Sequence, residues 1–157
     1  MRSERLINQV RLETDIDAPA ETIFALLTDP EQIPRWWPLI RTFEPRVGGR
    51  FAMGSPGWLN AGEVREFEAP RSFAYTWRTR EHPSGIDVGH ETTEVRWVVA
   101  GGDDPDADAA ASSVELMHSG FRDAEKADAH AAQWERYLTK LKAAAEAEAR
   151  RPDRRDR

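Results

Sequence analysis

The last long segment of the chain, residues 123–149, is the feature that most constrains its fold. Along one side of this segment, residues recur at steps of three and four, at Ala127, His130, Trp134, Leu138, Leu141 and Ala145. That spacing is the period of an amphipathic α-helix. No glycine or proline interrupts the segment, so we predict one helix, roughly 40 Å long at about 1.5 Å per residue. A helix with one apolar and aromatic face needs a surface to pack against.

Strand-like segments that precede the helix can supply that surface. Residues 8–17 alternate, with Val10, Leu12, Thr14 and Ile16 on one face, which is typical of a half-buried strand. Two short helices are predicted next, over residues 18–28 and 30–36. About six further strands follow, over residues 40–46, 51–54, 63–68, 72–80, 91–99 and 113–119. Their short connections favour an antiparallel meander, with the long helix covering one face.

Several segments between and after these elements have the composition of turns, loops or tails. Turns are predicted at residues 47–50 and at Pro56-Gly57 with Asn60, and a loop at residues 82–85. Residues 101–112 contain Gly-Gly, Asp-Asp-Pro and an Asp/Ala run, which predicts a flexible acidic hairpin loop. Residues 150–157 hold five Arg and two Asp, and we expect a basic disordered tail. Residues 1–149 are then expected to form a single domain.

The composition excludes several classes of function. The chain has 157 residues, of which 39% are hydrophobic and 32% charged, as in a globular soluble domain. It has no cysteine, which excludes disulfides, thiolate catalysis and cysteine metal sites and permits a cytoplasmic location. A net charge of −6 argues against nucleic-acid binding. No run approaches the ~20 apolar residues of a membrane span, and no secretory signal is expected.

A series of short motifs gives the chain a resemblance to a known family. They are Ile-Asp-Ala-Pro-Ala-Glu at 16–21, Leu-Thr-Asp-Pro-Glu at 27–31, Arg-Trp-Trp at 35–37, Gly-Gly-Arg-Phe at 48–51, Gly-Glu-Val at 62–64, Pro-Arg at 70–71, Thr-Trp at 76–77 and Leu-Met-His-Ser-Gly-Phe at 116–121, followed by His130, Trp134 and Leu138. In this order and spacing, the chain resembles the START-like or SRPBCC superfamily. Within it, the chain is similar to the branch named for the activator of Hsp90 ATPase, the AHSA1-like family.

The resemblance implies a fold and a pocket, not a reaction. It implies an α+β helix-grip (START/Bet v 1-like) fold, in which a curved antiparallel sheet of about six to seven strands surrounds the long C-terminal helix. Members of the wider superfamily include lipid carriers, polyketide cyclases and aromatases, hormone receptors and co-chaperone domains. The fold alone does not choose among them.

Aromatic and histidine side chains on the predicted inner faces are the candidate ligand-binding residues. The expected pocket wall is Trp37, Phe51, Tyr75, Trp77, Trp97 and Trp134, and the expected polar anchors are His118 and His130. The alternative is that the aromatic side chains only fill the core and that each histidine is a packed, hydrogen-bonded polar residue. For the adjacent pair Trp36 and Trp37, we expect one ring in the core and the other at a cleft or rim.

Three functions remain open at this stage. The first is a binding protein for a small apolar or aromatic molecule. The second is a cyclase or aromatase type of enzyme in which His118 or His130 acts as a general base. The third, by resemblance alone, is a chaperone-associated binding domain with an exposed apolar patch. A homodimer also fits.

Other chemistries lack the residues that they need. The serines have no Gly-x-Ser-x-Gly context, and the glycine pair at residues 48–49 has no phosphate-loop continuation. Metal binding needs three or four converging ligands, whereas the four histidines have no paired spacing, and His82 and His90 fall in loops. We therefore expect no metal and no cofactor.

Overall fold

The computed structural model describes residues 1–6, 8–55, 58–81, 92–101 and 111–151. The predicted turn at Pro56-Gly57, the loop at 82–85, His82 and His90 lie outside the described residues. So do residues 102–110 of the predicted acidic loop and residues 152–157 of the predicted tail. For Arg5, Leu6, Trp58, Arg80 and Glu81 the structure describes only the backbone.

The described residues form one antiparallel sheet and a long C-terminal helix. The elements in chain order are β1 (Arg2–Leu6), β2 (Gln9–Asp17), α1 (Ala20–Thr28), a 3₁₀ helix (Ile33–Arg35), β3 (Ile40–Phe43), β4 (Arg50–Ser55), β5 (Trp58–Glu68), β6 (Ser72–Glu81), β7 (Thr93–Gly101), β8 (Ala111–Ser119) and α2 (Ala124–Ala149). In the described part of the chain the sheet has eight strands, in the order β1-β2-β8-β7-β6-β5-β4-β3. The predicted α+β helix-grip architecture is confirmed.

Alternation along the strands and the helical period of α2 place the core between sheet and helix. In β2 every second residue from Val10 to Ile16 is buried. The buried residues of α2 are Ala127, Trp134, Leu138, Leu141 and Ala145. Asp123 caps this helix, because its side chain accepts a hydrogen bond of 2.8 Å from the amide of Lys126. No helix in the described ranges is long and apolar enough to cross a membrane.

The structure adds one strand and shortens one helix relative to the sequence prediction. β1 pairs with β2 at the edge of the sheet, but its residues lack the alternation that would predict it. Arg2 holds it there through ion pairs with Glu13 and Asp15. The second short helix is a 3₁₀ helix of three residues.

Asn60 belongs to β5, so the turn predicted at this residue is wrong. It is paired with Met53 of β4 and with Thr79 of β6. Asparagine favours turns where local preferences determine the conformation. Here, pairing with β4 on one side and β6 on the other keeps the backbone of Asn60 extended.

The expectation that one of the two adjacent tryptophans lines a cleft or rim is also wrong. Trp36 and Trp37 are both buried, and their rings stack with centroids 5.4 Å apart. Consecutive side chains diverge in an extended strand, but here the chain turns, and both amides donate to the carbonyl of Ile33. Trp36 also donates its indole N–H to the carbonyl of Leu26 at 2.6 Å.

Gly62 in β5 marks a very close approach to β6. A Cβ at this position would lie 1.8 Å from the carbonyl oxygen of Thr76. The amide of Glu63 donates to Thr76 Oγ1 at 2.9 Å, and the ladder shifts register between Val64 and Glu66. Glycine is therefore needed here for the backbone to approach its neighbour, not for an unusual φ.

We predict that Gly62→Ala lowers the free energy of unfolding by about 2–3 kcal/mol, because β5 or β6 must move to make room. Urea denaturation followed by tryptophan fluorescence measures this loss. Gly101→Ala is the control, since a Cβ there meets side-chain atoms and no backbone: the Cβ of Ala20 at 3.1 Å and the Oγ of Ser112 at 3.7 Å. An equal loss in both variants would contradict the assigned cause.

Candidate ligand-binding site

The eight predicted site residues lie together between the sheet and α2. Alternation along β4, β6, β7 and β8 directs the sheet residues inward, the helical period places His130 and Trp134 opposite them, and Trp37 follows the 3₁₀ helix. We call Trp37, Phe51, Tyr75, Trp77, Trp97, His118, His130 and Trp134 the aromatic cluster. Its ring contacts have centroid separations from 4.2 to 6.3 Å. All members are buried except His130, which is half-buried.

His118 is hydrogen-bonded through both ring nitrogens. Trp134 Nε1 donates to His118 Nδ1 at 3.0 Å. Because an indole N–H can only donate, His118 Nδ1 carries no proton. The proton is therefore on Nε2, which donates to Thr93 Oγ1 at 2.7 Å, and Thr93 in turn donates to the carbonyl of Trp77 at 3.1 Å. These bonds link α2 to β8, β7 and β6.

This environment keeps His118 neutral. Complete burial lowers the pKa of the imidazole well below its ordinary value, and the nearby His130 lowers it further. A general base needs a free lone pair and a pKa near the working pH, whereas the lone pair on Nδ1 already accepts the bond from Trp134. The geometry of His118 is that of a packed polar core residue, one of the two alternatives open from the sequence.

His130 borders the cluster at its more exposed end. Its Nδ1 lies 2.9 Å from the carbonyl oxygen of Lys126, so Nδ1 carries the proton and donates to that oxygen. Its ring lies 5.1 Å from that of His118 and 6.1 Å from that of Trp77. Tyr137, one turn of α2 further on from Trp134, is also half-buried and lies 5.6 Å from Trp37.

A second hydrogen bond ties two members of the aromatic cluster. Trp97 Nε1 donates to the hydroxyl of Tyr75 at 3.2 Å. Burial raises the pKa of the Tyr75 hydroxyl well above its ordinary value. The phenol therefore stays protonated and acts here as a neutral hydrogen-bonding group.

Trp37 and Trp77 differ from the other tryptophans of the cluster. Their indole N–H groups are buried and have no hydrogen-bond partner among the described residues. The two rings are nearly parallel, with an angle of 7° and centroids 6.3 Å apart. A buried donor without a partner costs about 1–3 kcal/mol. Two such donors next to each other are the most unusual polar feature of the cluster.

Sequence reasoning missed two polar residues beside the aromatic cluster. Thr93 continues by two residues the alternation of Val95, Trp97 and Val99, so this pattern could have placed it inward. Asn60 had no such signal, because its strand lacks clear alternation. Asn60 is buried and accepts a hydrogen bond from Thr79.

The described residues contain no group of three or more His, Asp or Glu side chains that could hold a metal ion. The polar groups of the aromatic cluster are indole, imidazole and hydroxyl groups. Four of its members bond in two pairs, Trp134 with His118 and Trp97 with Tyr75, and the indole N–H groups of Trp37 and Trp77 have no partner among the described residues.

The fold and this site define a class of protein. An antiparallel sheet that clasps a long C-terminal helix, with an aromatic cluster between them, is the helix-grip arrangement of the START-like or SRPBCC superfamily. Residues 17–146 match the family described as Activator of Hsp90 ATPase homolog 1-like protein, and the chain belongs to that family. The resemblance seen in the sequence motifs is thereby confirmed.

Solved structures agree with this fold. MLL2253 from Mesorhizobium loti has a TM-score of 0.71 at 23% identity, covering 86% of this chain and 94% of its own. CalU16 from Micromonospora echinospora has a TM-score of 0.65 at 22% identity, with coverages of 90% and 84%. The Aha1 dimer from Colwellia psychrerythraea has a TM-score of 0.68 at 19% identity, with coverages of 88% and 96%. Among curated proteins, none matches this sequence.

The environment of His118 predicts a loss of stability on mild acidification. In the unfolded chain its pKa returns to about 6.5, whereas burial holds it well below that value in the folded protein. Below about pH 6.5 the unfolded chain therefore binds a proton that the folded protein does not, and the free energy of unfolding falls by up to about 1.4 kcal/mol per pH unit. Above that pH, His118 contributes no pH dependence.

Urea titrations between about pH 5 and pH 8 measure this slope. His118→Gln keeps a donor and an acceptor but cannot titrate, so its slope between about pH 5 and 6.5 should be shallower than that of the parent protein. Equal slopes in the two proteins would show that His118 is not the group responsible.

Proposed function

We propose that this protein binds a small apolar or aromatic molecule at the end of the aromatic cluster formed by Trp37 and Trp77. The observation that carries the proposal is the pair of buried indole N–H groups without a partner among the described residues. Fold and family membership agree with a ligand-binding role but do not select it.

The energetics favour a ligand that presents at least one hydrogen-bond acceptor. Each unpaired buried donor costs about 1–3 kcal/mol, and that cost is removed when an acceptor reaches the donor. The surrounding side chains are aromatic, so the remainder of such a ligand would contact ring faces and edges. A small molecule that combines a flat apolar body with one polar atom suits both requirements.

The position of these two tryptophans also suits entry of a ligand from solvent. Trp77 contacts His130, and Trp37 contacts Tyr137. His130 and Tyr137 are both half-buried, so this end of the cluster lies nearer the surface than the end formed by Trp97.

As a reaction at His118, the cyclase or aromatase alternative has less support. It needs a histidine that can take up a proton near neutral pH, and His118 is neutral and bonded through both nitrogens. The site as described can bind and orient a molecule through donors. It offers no comparable support for proton abstraction by His118.

Protein partners remain predictions. The Colwellia psychrerythraea relative was solved as a dimer, which is compatible with a homodimer of this chain. A chaperone partner was expected to need an exposed apolar patch. Within the described ranges, the exposed large hydrophobic residues are Met1 and Val47, and these two residues do not make a patch of that size.

We predict that substitution by phenylalanine mainly weakens ligand binding at Trp37 and mainly lowers stability at the adjacent Trp36. Trp37→Phe removes an unpartnered donor, so it should weaken binding of 1-indanone or 9-fluorenone, two flat aromatic ketones, by about five- to tenfold. Trp36→Phe removes the donor to the Leu26 carbonyl, so it should leave ketone binding nearly unchanged and lower the free energy of unfolding by about 1–3 kcal/mol more than Trp37→Phe.

Isothermal titration calorimetry gives the affinities, and urea denaturation gives the stabilities. ¹⁵N-labelled tryptophan adds a direct readout, since the indole N–H signals of Trp37 and Trp77 should shift on binding while that of Trp36 stays in place. If neither ketone nor any parent hydrocarbon binds saturably, the protein does not bind small aromatic molecules at this site.

A further inference from the structure

Asn60 is a buried amide on the inner, mainly apolar face of the sheet. Its exposed fraction is 5%, and it lies in β5 between Met53 of β4 and Thr79 of β6. Cross-strand partners in an antiparallel ladder point to the same face. Asn60, Met53 and Thr79 therefore form one row of side chains across three strands.

The neighbours of Asn60 determine which way its amide is oriented. Thr79 donates its hydroxyl hydrogen to Asn60 Oδ1, and Asn60 Nδ2 lies 3.2 Å from Met53 Sδ. A thioether sulfur has no hydrogen to donate, so the edge of the amide that faces Met53 must be the NH₂ group. Sulfur is a weak acceptor, and it takes at most one of the two N–H bonds. Among the described residues, Met53 is the partner that this NH₂ group has.

Asn60 lies at the same end of the inner face as the two unpartnered indoles. Thr79 follows Trp77 by two residues in β6, so both side chains point inward from adjacent positions. Met53 follows Phe51 by two residues in β4, and Phe51 stacks on Trp77 at 5.5 Å. The row of Met53, Asn60 and Thr79 is therefore next to the row that contains Phe51 and Trp77. The ring of Trp37 stacks against the rings of both Phe51 and Trp77.

Resting on the proposed function, we infer that Asn60, Trp37 and Trp77 select a neutral aromatic ligand whose polar group is a carbonyl, as in an aryl ketone or a quinone. An indole N–H only donates, and the NH₂ edge of Asn60 only donates. A carbonyl oxygen has two lone pairs and no hydrogen, so it matches a site whose spare groups are donors.

The same chemistry ranks the alternatives to a carbonyl. A hydrocarbon leaves the donors unpaired, as they are without a ligand. A hydroxyl group can accept from one donor, but its own hydrogen then needs an acceptor. A carboxylate brings a charge, and the aromatic cluster with Asn60, Thr79 and Met53 contains no Lys or Arg to compensate it. The expected order of affinity is ketone, then alcohol and hydrocarbon, then carboxylate.

A matched set of probes tests this order. Calorimetric titrations would compare indane, 1-indanol and 1-indanone, and separately fluorene, 9-fluorenone and fluorene-9-carboxylate, so that a size limit affects all members of a series alike. We expect each ketone to bind at least about fivefold more tightly than its hydrocarbon, and the carboxylate to bind most weakly. A ketone that binds no better than its hydrocarbon overturns the inference while leaving ligand binding intact.

Variants of Asn60 and Thr79 test whether Asn60 is responsible for the preference for ketones. Asn60→Leu with Thr79→Val replaces both hydrogen-bonding partners by apolar groups of similar shape, which limits the loss of stability. This double variant should reduce the ketone-to-hydrocarbon ratio of affinities by about threefold or more. Thr79→Val alone is the control, because it keeps the NH₂ group of Asn60 and should keep the ratio.

The outcomes separate the two proposals. If the ketones are preferred in the parent protein but the double variant keeps the full preference, Asn60 has no part in selection and this inference is wrong as to that residue. If no member of either series binds, the proposed function fails and this inference fails with it. The comparison within the parent protein stands even if the double variant does not fold.

Discussion

The hydrogen bond from Trp134 to His118 fixes how α2 sits on the sheet, and the geometry of the site depends on it. Apolar packing is non-directional, so the stripe of Leu138, Leu141 and Ala145 would tolerate small rotations of the helix. The bond from Trp134 Nε1 to His118 Nδ1 has a required direction and length. It continues through Thr93 to the backbone of Trp77. The rotation of α2 and the position of Trp77 are therefore linked through one chain of bonds.

The regular spacing of apolar residues was sufficient to predict most of the fold from the sequence. The alternation of β2 and the three- and four-residue steps of α2 each reflect burial of one face, and burial is what these elements experience in the structure. The prediction failed where strand pairing, and not burial of one face, determines the local structure. β1 pairs with β2 through its backbone and carries ion pairs from Arg2, but its sequence does not alternate. Asn60 follows the ladders on both sides instead of its own turn preference.

The sequence predicted that the eight candidate residues lie together, but it did not predict the hydrogen bonds between them. Inward positions follow from local pattern, which is why the aromatic residues and His118 could be named in advance. Hydrogen-bond partners depend on register between distant strands. Thr93 and His118 are 25 residues apart, and they meet only because β7 and β8 pair with Val95 opposite His118. A donor without a partner among the described residues, as in Trp37 and Trp77, cannot be predicted from sequence, because it depends on all of the groups around it.

The polar groups between sheet and helix divide into two sets with different consequences. Around His118 every donor meets an acceptor, and such a satisfied network stabilises one arrangement of the core. Around Trp37, Trp77 and Asn60, the part of the chain that the structure describes offers more donors than good acceptors, and a folded protein gains nothing from that imbalance by itself. Replacing Asn60 and its partner Thr79 together by apolar groups would remove the donor of Asn60 without leaving a new unpaired group. Phenylalanine in place of either indole would remove a donor and keep a stacked ring, with the packing loss of a smaller side chain. The presence of these donors next to the half-buried His130 and Tyr137 is the reason for the proposal that a ligand supplies the acceptor.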